Sequence, residues 1–387
     1  MKKIVTLMLA LSFAFALTAC TNDTTTTTTG DGTTTTSDPI KLGVIGPLTG
    51  EYSMYGIAVE NGALLAAAEL NAAGGVLGRD LEIVSYDSQG SPDQGVNAYN
   101  RLVLQDEVDA IIGGTFSGVT LAFKALAVQD GIPVLTPTAT NPDVTLDAPN
   151  VFRACYTDSY QGSVAATFSI DTLEATKAAV FYNVDDAYSE GLALAFQDTF
   201  EAASLTVDMY QFTGSQSDYN ATLETIKAGN YDVVFVPAYV AEVGAILSAA
   251  QTIGFGDTPF IGGDGWDGIE ADYATEAEGN YFVNHYAKTD PAANVQAFVT
   301  NYTAEFGEAP NALAALAYDA VYAMAAAMED AGTTDYAAVV SALASLEYNE
   351  AVTGAIKFDE NGDPVKAITI IQVVSGEHVV VGKVQGE

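Results

Sequence analysis

The groups in this 387-residue chain that could do chemistry are few. There are two histidines, His285 and His378, and two cysteines, Cys20 and Cys155. No spacing between Cys155 and His285 suggests a nucleophile with its base. The chain has no G-x-S-x-G elbow, no S-x-x-K and no phosphate loop of Walker type. The adjacent acids Asp185 and Asp186 could mimic an acid–base pair, but in so acidic a chain they read as a solvated loop. The stretch DENGDP at 359–364 begins like a calcium loop, yet it lacks Gly at the sixth place and Glu at the twelfth, where Ile370 stands. It reads as a hairpin turn. So few His and Cys give no zinc site, and a lone Cys155 reads as a packing residue. What the sequence does offer is hydrogen bonding without bond breaking. TPTATNPD, from Thr136 to Asp143, follows the apolar GIPVL. Such short neutral groups, with no His, Cys or Lys beside them, suit a loop that holds a small charged molecule and leaves it unchanged.

The elements that must position this loop alternate. IKLGVIGP reads as a buried strand, and YGIAVENGALLAAAELNAAGG as an Ala-rich helix stopped by glycines. LEIVSYD, VDAIIGG and IPVLTP follow as strands, separated by helices over DQGVNAYNRLVLQD and SGVTLAFKALAVQDG. This run of βαβ units predicts a mostly parallel sheet. The pattern then restarts with the strand KAAVFYN, the helix SEGLALAFQDTFEAA, and the strands LTVDMYQF, YDVVFVPAY, TPFIGGDG and NYFVNHYA. Helices are expected at about 291–306, 311–330 and 335–346, with closing strands. Open parallel sheets bind ligands outside the carboxyl ends of their strands. The informative loops are therefore GPLTGEYSMYG, GGTFSG and TPTATNPD in the first half, and NVDDAYSEG, PAYVAEVG and GGDGWDG in the second. If the two sets face one another, they make a cleft between lobes, a common place for a small-molecule site.

Composition limits the partners. The chain is 49% hydrophobic, ample for a core, and its length suits two or three domains. Fifty acids against 13 bases give a formal charge of −37, which argues strongly against nucleic acid as a partner and against binding anionic lipid through the body. The acid excess suits either work in high salt or a highly soluble secreted surface. At the start, MKK, the apolar IVTLMLALSFAFAL and the small residues of LTAC read as a secretory signal over residues 1–20. A Cys at the cleavage point resembles a bacterial lipobox, which implies that Cys20 becomes the lipidated first residue. Residues 21–39 are Thr-rich and low in complexity, a flexible tether.

From about 40 to 385 the sequence resembles the substrate-binding proteins of branched-chain amino-acid ABC importers. The likeness is carried by IKLGVIGPLTGEYSMYGIAVENGALLAAAELNAAGGVLGRDLEIVSYDS, IIGGTFSGVTLA, GIPVLTPTATNPDVT, YSEGLALAFQDTF, YDVVFVPAYVAEVGAILSAAQTIG and FDENGDP. The resemblance implies a type I periplasmic-binding-protein fold: α/β, with two similar doubly wound lobes of mostly parallel sheet joined by a three-strand hinge. It implies one lobe of 40–157 plus 288–368 and another of 158–287 plus 369–387. It also implies roles. Ser117 falls where the family places a hydroxyl on the ligand carboxylate, and its helix start independently favours an anion. Thr138, Ala139 and Thr140 match the loop that takes the same carboxylate and the ammonium. Asp264 matches an acid that pairs with the ammonium, where the best-known branched-chain members carry Glu. Tyr188 and Tyr239 match aromatic positions that close over the ligand, and Tyr55 matches one on the first lobe. Phe116 and Trp266 join this set by proximity to the same loops. Gly90 and Phe116 stand where some members have a disulfide.

The expectation is an extracytoplasmic, lipid-anchored binding protein that captures an amino acid by clamshell closure and delivers it to an ABC permease. It is expected to be a monomer, with no enzymatic activity, metal or cofactor, and to touch the membrane only through Cys20. A ligand sensor for a receptor, or a relative that takes an amide, urea or an aromatic acid, is the alternative.

Overall fold

Strand and helix alternate from Ile40 onward in the computed structural model, which describes residues 38–386. Cys20, the signal and the tether as far as residue 37 lie outside the described residues. The first half gives β1 (Ile40–Gly46), α1 (Ser53–Ala72), β2 (Leu81–Asp87), α2 (Pro92–Leu104), β3 (Ala110–Ile111), α3 (Ser117–Asp130), β4 (Val134–Thr136) and β5 (Val151–Arg153). The strands form one parallel sheet in the order β2-β1-β3-β4-β5, with Ile40 paired to Leu81 and Gly46 to Asp87. β1 is apolar on both faces and buried along nearly its whole length, as a parallel strand covered by helices on both sides must be.

The second half gives α4 (Asp158–Asp171), β6 (Lys177–Asn183), α5 (Ala187–Ala202), β7 (Thr206–Phe212), α6 (Asn220–Gly229), β8 (Val233–Phe235), α7 (Val240–Thr252), β9 (Phe260–Gly262), α8 (Glu270–Ala277) and β10 (Tyr281–Asn284). Then come α9 (Ala293–Phe306), α10 (Ala312–Ala331), α11 (Tyr336–Ala344), β11 (Glu347–Tyr348), β12 (Ile356–Lys357), β13 (Ile368–Val374) and β14 (Glu377–Val384). The second sheet runs β14-β13-β10-β9-β8-β6-β7. It is parallel from β7 to β10, and β13 and β14 add antiparallel at its edge. Strands β11 and β12 pair only with each other.

The chain passes between the two sheets three times: between β5 and α4, between β10 and α9, and between β12 and β13. On the second passage it returns to the first sheet, because α10 packs along α1. That contact needs small residues. A side chain at Gly62 would put its Cβ 2.1 Å from the Ala314 carbonyl oxygen, so the two helix backbones meet where only glycine fits. Helix α10 is long and apolar enough to cross a bilayer, but most of it is buried in this contact. It is a core helix.

Two local expectations shift. NYFVNHYA read as one strand, but β10 ends at Asn284, whose side-chain oxygen accepts the His285 N–H at 2.8 Å. His285 is thereby freed from the sheet ladder. Asp186 is a helix cap rather than a solvated acid, its Oδ1 accepting the Ser189 N–H at 2.9 Å at the start of α5. The 359–364 stretch is a turn closed by the Asp359 N–H to the Asp363 carbonyl at 2.9 Å. Cys155 is fully buried, and burial pushes its thiol up to about 12. It is an inert packing group.

Candidate functional site

The loops at the carboxyl ends of the two sheets converge on one space. From the first sheet, Tyr55 stands in the first turn of α1, Phe116 and Ser117 follow β3, and Thr138 follows β4. From the second, Tyr188 follows β6, Tyr239 follows β8, and Asp264 follows β9. Thr115, Gly265 and Leu313 complete the lining. The aromatic rings nearly fill this space. Phe116 and Tyr239 have ring centroids 4.5 Å apart, Tyr188 stacks on Tyr239 at 5.0 Å, and Tyr55 meets Tyr239 edge-on at 5.4 Å. The remaining cavity measures about 20 Å³, room for one water at most. A larger groove of about 760 Å³ lies between α4, β14 and residues 359–366 and is lined by none of the ligand-binding residues expected from the sequence.

One end of the cavity is built for negative charge. Phe116 is the N-cap of α3 and Ser117 its first residue, and no side chain caps that end. The first N–H groups of the helix are therefore free to point at an anion, and the helix dipole favours one. The Ser117 hydroxyl oxygen accepts the Asn141 N–H at 3.2 Å, which leaves its own proton free to donate. The Thr138 hydroxyl is already committed, donating to the Thr115 carbonyl at 2.7 Å.

The other end is built around one carboxylate. Asp264 Oδ1 accepts from the Tyr188 hydroxyl at 2.8 Å and from Gln161 Nε2 at 3.1 Å, and Oδ2 meets His285 Nε2 at 2.9 Å. The Asp264 N–H in turn donates to Gln161 Oε1 at 2.6 Å, and the Gly265 N–H donates to the Tyr188 hydroxyl at 2.8 Å. The glycines of GGDG make this possible. A Cβ at Gly263 would lie 2.6 Å from the Tyr188 hydroxyl, and one at Gly265 would lie 2.9 Å from it. Burial pushes the phenols of Tyr55, Tyr188 and Tyr239 well above their usual range, so each hydroxyl keeps its proton.

Two tyrosines of the first half reach across to the second. Tyr55 donates to the Gly265 carbonyl at 2.6 Å and accepts the Val240 N–H at 2.8 Å. Tyr52 donates to Glu242 Oε1 at 2.5 Å. Burial above all raises the Glu242 carboxyl.

Three residues singled out from the sequence do not line the cavity. Ala139 is fully buried, and its carbonyl accepts from Arg153 Nη1 at 2.8 Å. Thr140 turns its hydroxyl into the interior beside Asp158, and its carbonyl accepts the Asp158 N–H at 2.9 Å. Trp266 is also fully buried, its indole N–H donating to the Val236 carbonyl at 2.8 Å just past the end of β8. Conversely, sequence reasoning missed Gln161, His285, Tyr52 and Glu242. Only the rarity of histidine pointed to His285. Its strand β10 lies beside β9 in parallel register, Phe282 against Gly262, and this brings residues 264 and 285 out of the sheet together.

Two open sheets with facing carboxyl-end loops, an anion-ready helix start and an opposing buried carboxylate define a two-lobed protein that closes on a small ligand. The chain belongs to the periplasmic binding protein family, whose model matches residues 39–378. It is similar to the Leu/Ile/Val-binding protein homolog 3 of Brucella melitensis, with 34% identity over 84% of this chain and 88% of that protein. Among solved structures it is similar to a leucine binding protein, LivK, from Thermotoga maritima, with a TM-score of 0.84, 30% identity, and coverage of 89% of this chain and 99% of that one. It is similar also to the branched-chain amino acid transporter substrate binding protein LivJ from Streptococcus pneumoniae, in complex with isoleucine. There the TM-score is 0.83 and the identity 30%, over 90% of this chain and 99% of that one.

Proposed function

We propose that this chain is an extracytoplasmic solute-binding protein that captures an amino acid, branched-chain or closely related, and delivers it to an ABC importer. The observation that carries this reading is the opposition, across one cavity, of the Ser117 helix start and the Asp264 carboxylate. A zwitterion matches that pair: its carboxylate meets the Ser117 hydroxyl and the free N–H groups of α3, and its ammonium meets Asp264. Both contacts are charge-assisted and shielded from water, where such bonds are strongest. Tyr55, Phe116, Tyr188 and Tyr239 surround the side chain, and Thr138 offers its backbone carbonyl to the ammonium. Ala139 and Thr140 act behind this layer by fixing the loop's path. With so little space left between the rings, the ligand enters only when the lobes part, and the rings of Phe116 and Tyr239 must move apart for the lobes to close again around it. The three chain passages supply the hinge between a lobe of 40–157 plus 288–368 and one of 158–287 plus 369–387. Ligand binding favours the closed form because only that form brings both ends of the site together. No group in the cavity pairs a nucleophile with a base, so the ligand leaves unchanged.

The protein works outside the cytoplasm as a monomer, held to the membrane by a lipid on Cys20 while the Thr-rich tether lets the body reach its permease. The test is a thermal-shift screen against the common amino acids and small carboxylates, followed by calorimetry. A branched-chain amino acid is expected to raise the melting temperature, with one molecule bound per chain and no product formed on prolonged incubation. Stabilisation only by carboxylates that lack an ammonium, such as aromatic acids, would remove the role of Asp264.

A further inference from the structure

Asp264 is held more elaborately than an ammonium partner requires. A carboxylate offers about four acceptor positions. Tyr188 and Gln161 use Oδ1, and His285 uses Oδ2, which leaves a place on Oδ2 beside the imidazole. Because the carboxylate only accepts, Nε2 of His285 carries the proton it shares. Its other nitrogen, Nδ1, is buried with no hydrogen-bond partner. The ring itself is fixed: it stacks on Tyr156 with centroids 3.6 Å apart and planes 19° from parallel. Tyr156 lies on the first passage between the sheets and His285 on the second.

We propose that His285 is the positioning residue of the ammonium site: neutral, it aims the Asp264 carboxylate at the ligand without cancelling its charge, and protonated, it competes with the ligand for that charge. This rests on the reading of Asp264 as the ligand's cationic partner. The charged and titratable groups around the ring favour the neutral form on balance. Burial comes first, since protonating Nδ1 would create a buried N–H with no acceptor. Lys366, entering from the third passage, adds positive charge nearby, while Asp264 and Asp267 from the turn after β9 pull the other way. Tyr156 is held protonated by its own burial, and Asp158 on α4 adds its carboxyl near Asp264. The net direction for His285 is downward from the ordinary histidine range. A ligand ammonium at Oδ2 opposes the imidazolium further. By linkage, affinity must then fall as pH drops through the range where His285 takes up its proton.

The experiment measures L-leucine binding by calorimetry from pH 7.5 to 5.0 for the wild type, His285→Gln and His285→Phe, and follows the two histidine resonances by NMR with and without leucine. The wild type is expected to weaken about tenfold across that range, one unit of displaced pKa being a factor of ten. H285Q keeps an N–H donor and no charge, so it should bind within a few-fold of wild type at pH 7.5 with a flat pH profile. H285F loses the donor and should bind about tenfold more weakly at every pH. The histidine resonance that titrates at the lower pH, expected to be that of His285, should titrate at still lower pH when leucine is added. An acid profile that persists in H285Q, or a His285 titration unmoved by leucine, overturns this proposal while leaving the ligand reading intact. If neither leucine nor any other amino acid binds the wild type at pH 7.5, the ligand reading falls and this proposal with it.

Discussion

The Tyr55 hydroxyl, on the first helix of one sheet, donates to the Gly265 carbonyl of the other at 2.6 Å while accepting the Val240 N–H. One phenol thus ties the loops after β8 and β9 to the opposite lobe, directly beside the cavity. Tyr55→Phe keeps the ring packing and removes both bonds, leaving a donor and an acceptor without partners in the closed form. At about 1 kcal/mol for each bond, leucine affinity should fall roughly 5- to 30-fold. Calorimetry measures this, and small-angle scattering with saturating leucine should show a larger open fraction than in the wild type. An unchanged dissociation constant would mean that closure does not use this bridge.

The two ends of the site should respond differently. Asp264→Asn preserves shape and removes charge, so amino-acid affinity should drop on the order of 10- to 100-fold, as expected for a hydrogen bond to a charged group. Ser117→Ala removes one donor among several at the start of α3, and a loss of about fivefold is expected. Both variants should melt within a few degrees of wild type in the absence of ligand. If both retained full affinity, neither end of the site would be where we assign it.

Arg153 anchors the loop that carries Thr138. Its fully buried guanidinium bonds to Asp363 Oδ1 at 2.5 Å, to the carbonyls of Ala139 and Asn141 at 2.8 and 2.9 Å, and to the Thr145 hydroxyl at 2.8 Å. Asp363→Ala strands a buried cation, a change that typically destabilises by about 3–5 kcal/mol. Four other acceptors remain here, the Pro142 carbonyl at 3.3 Å being the fourth, so the lower end of that range is expected in urea unfolding. A loss below 1 kcal/mol would show that those acceptors suffice.

Stability should rise on mild acidification. Burial raises the carboxyls of Asp158, Asp186, Glu242, Asp267 and Asp319. Each therefore binds its proton more readily folded than unfolded. Their contribution is fully present below the unfolded carboxylate range and fades as pH climbs through the raised folded values. His285 and Lys366, with their lowered values, work in the opposite sense, while His378, with its raised value, adds to the acid-side stability. The formal charge of −37 adds self-repulsion that acid and salt both relieve. The melting temperature should therefore be higher at pH 5.5 than at pH 8 in low salt, and the gap should narrow in molar salt. A melting temperature that falls steadily from pH 8 to 5.5 would contradict this.

Much of the fold and part of the site could be read from the residues in order. Alternation of apolar runs with helices sets two mostly parallel sheets, because period and length are local properties. Glycines and short polar residues mark the loops, because turns constrain the residues that make them. Within those loops the resemblance to the family singled out Tyr55, Ser117, Thr138, Tyr188, Tyr239 and Asp264, and proximity added Phe116; all seven line the cavity. Nearness in sequence misled at Trp266. Two residues past Asp264, it turns the other way to bond Val236 and fill the interior. Thr140 likewise turns inward two residues past Thr138, because Arg153 and the start of α4 fix the loop's path.

What the sequence settled alone is the alternation of elements, the polar chemistry of the loops and a strongly negative charge that argues against nucleic acid as a partner. Each depends on a residue's type and its immediate neighbours. Which groups surround Asp264 was decided only in three dimensions. Gln161 comes from a helix 103 residues away, and His285 from just past the end of a strand 21 residues on. They meet because β9 and β10 lie side by side and α4 packs over their ends, and strand order in a sheet is a long-range choice that no local spacing encodes.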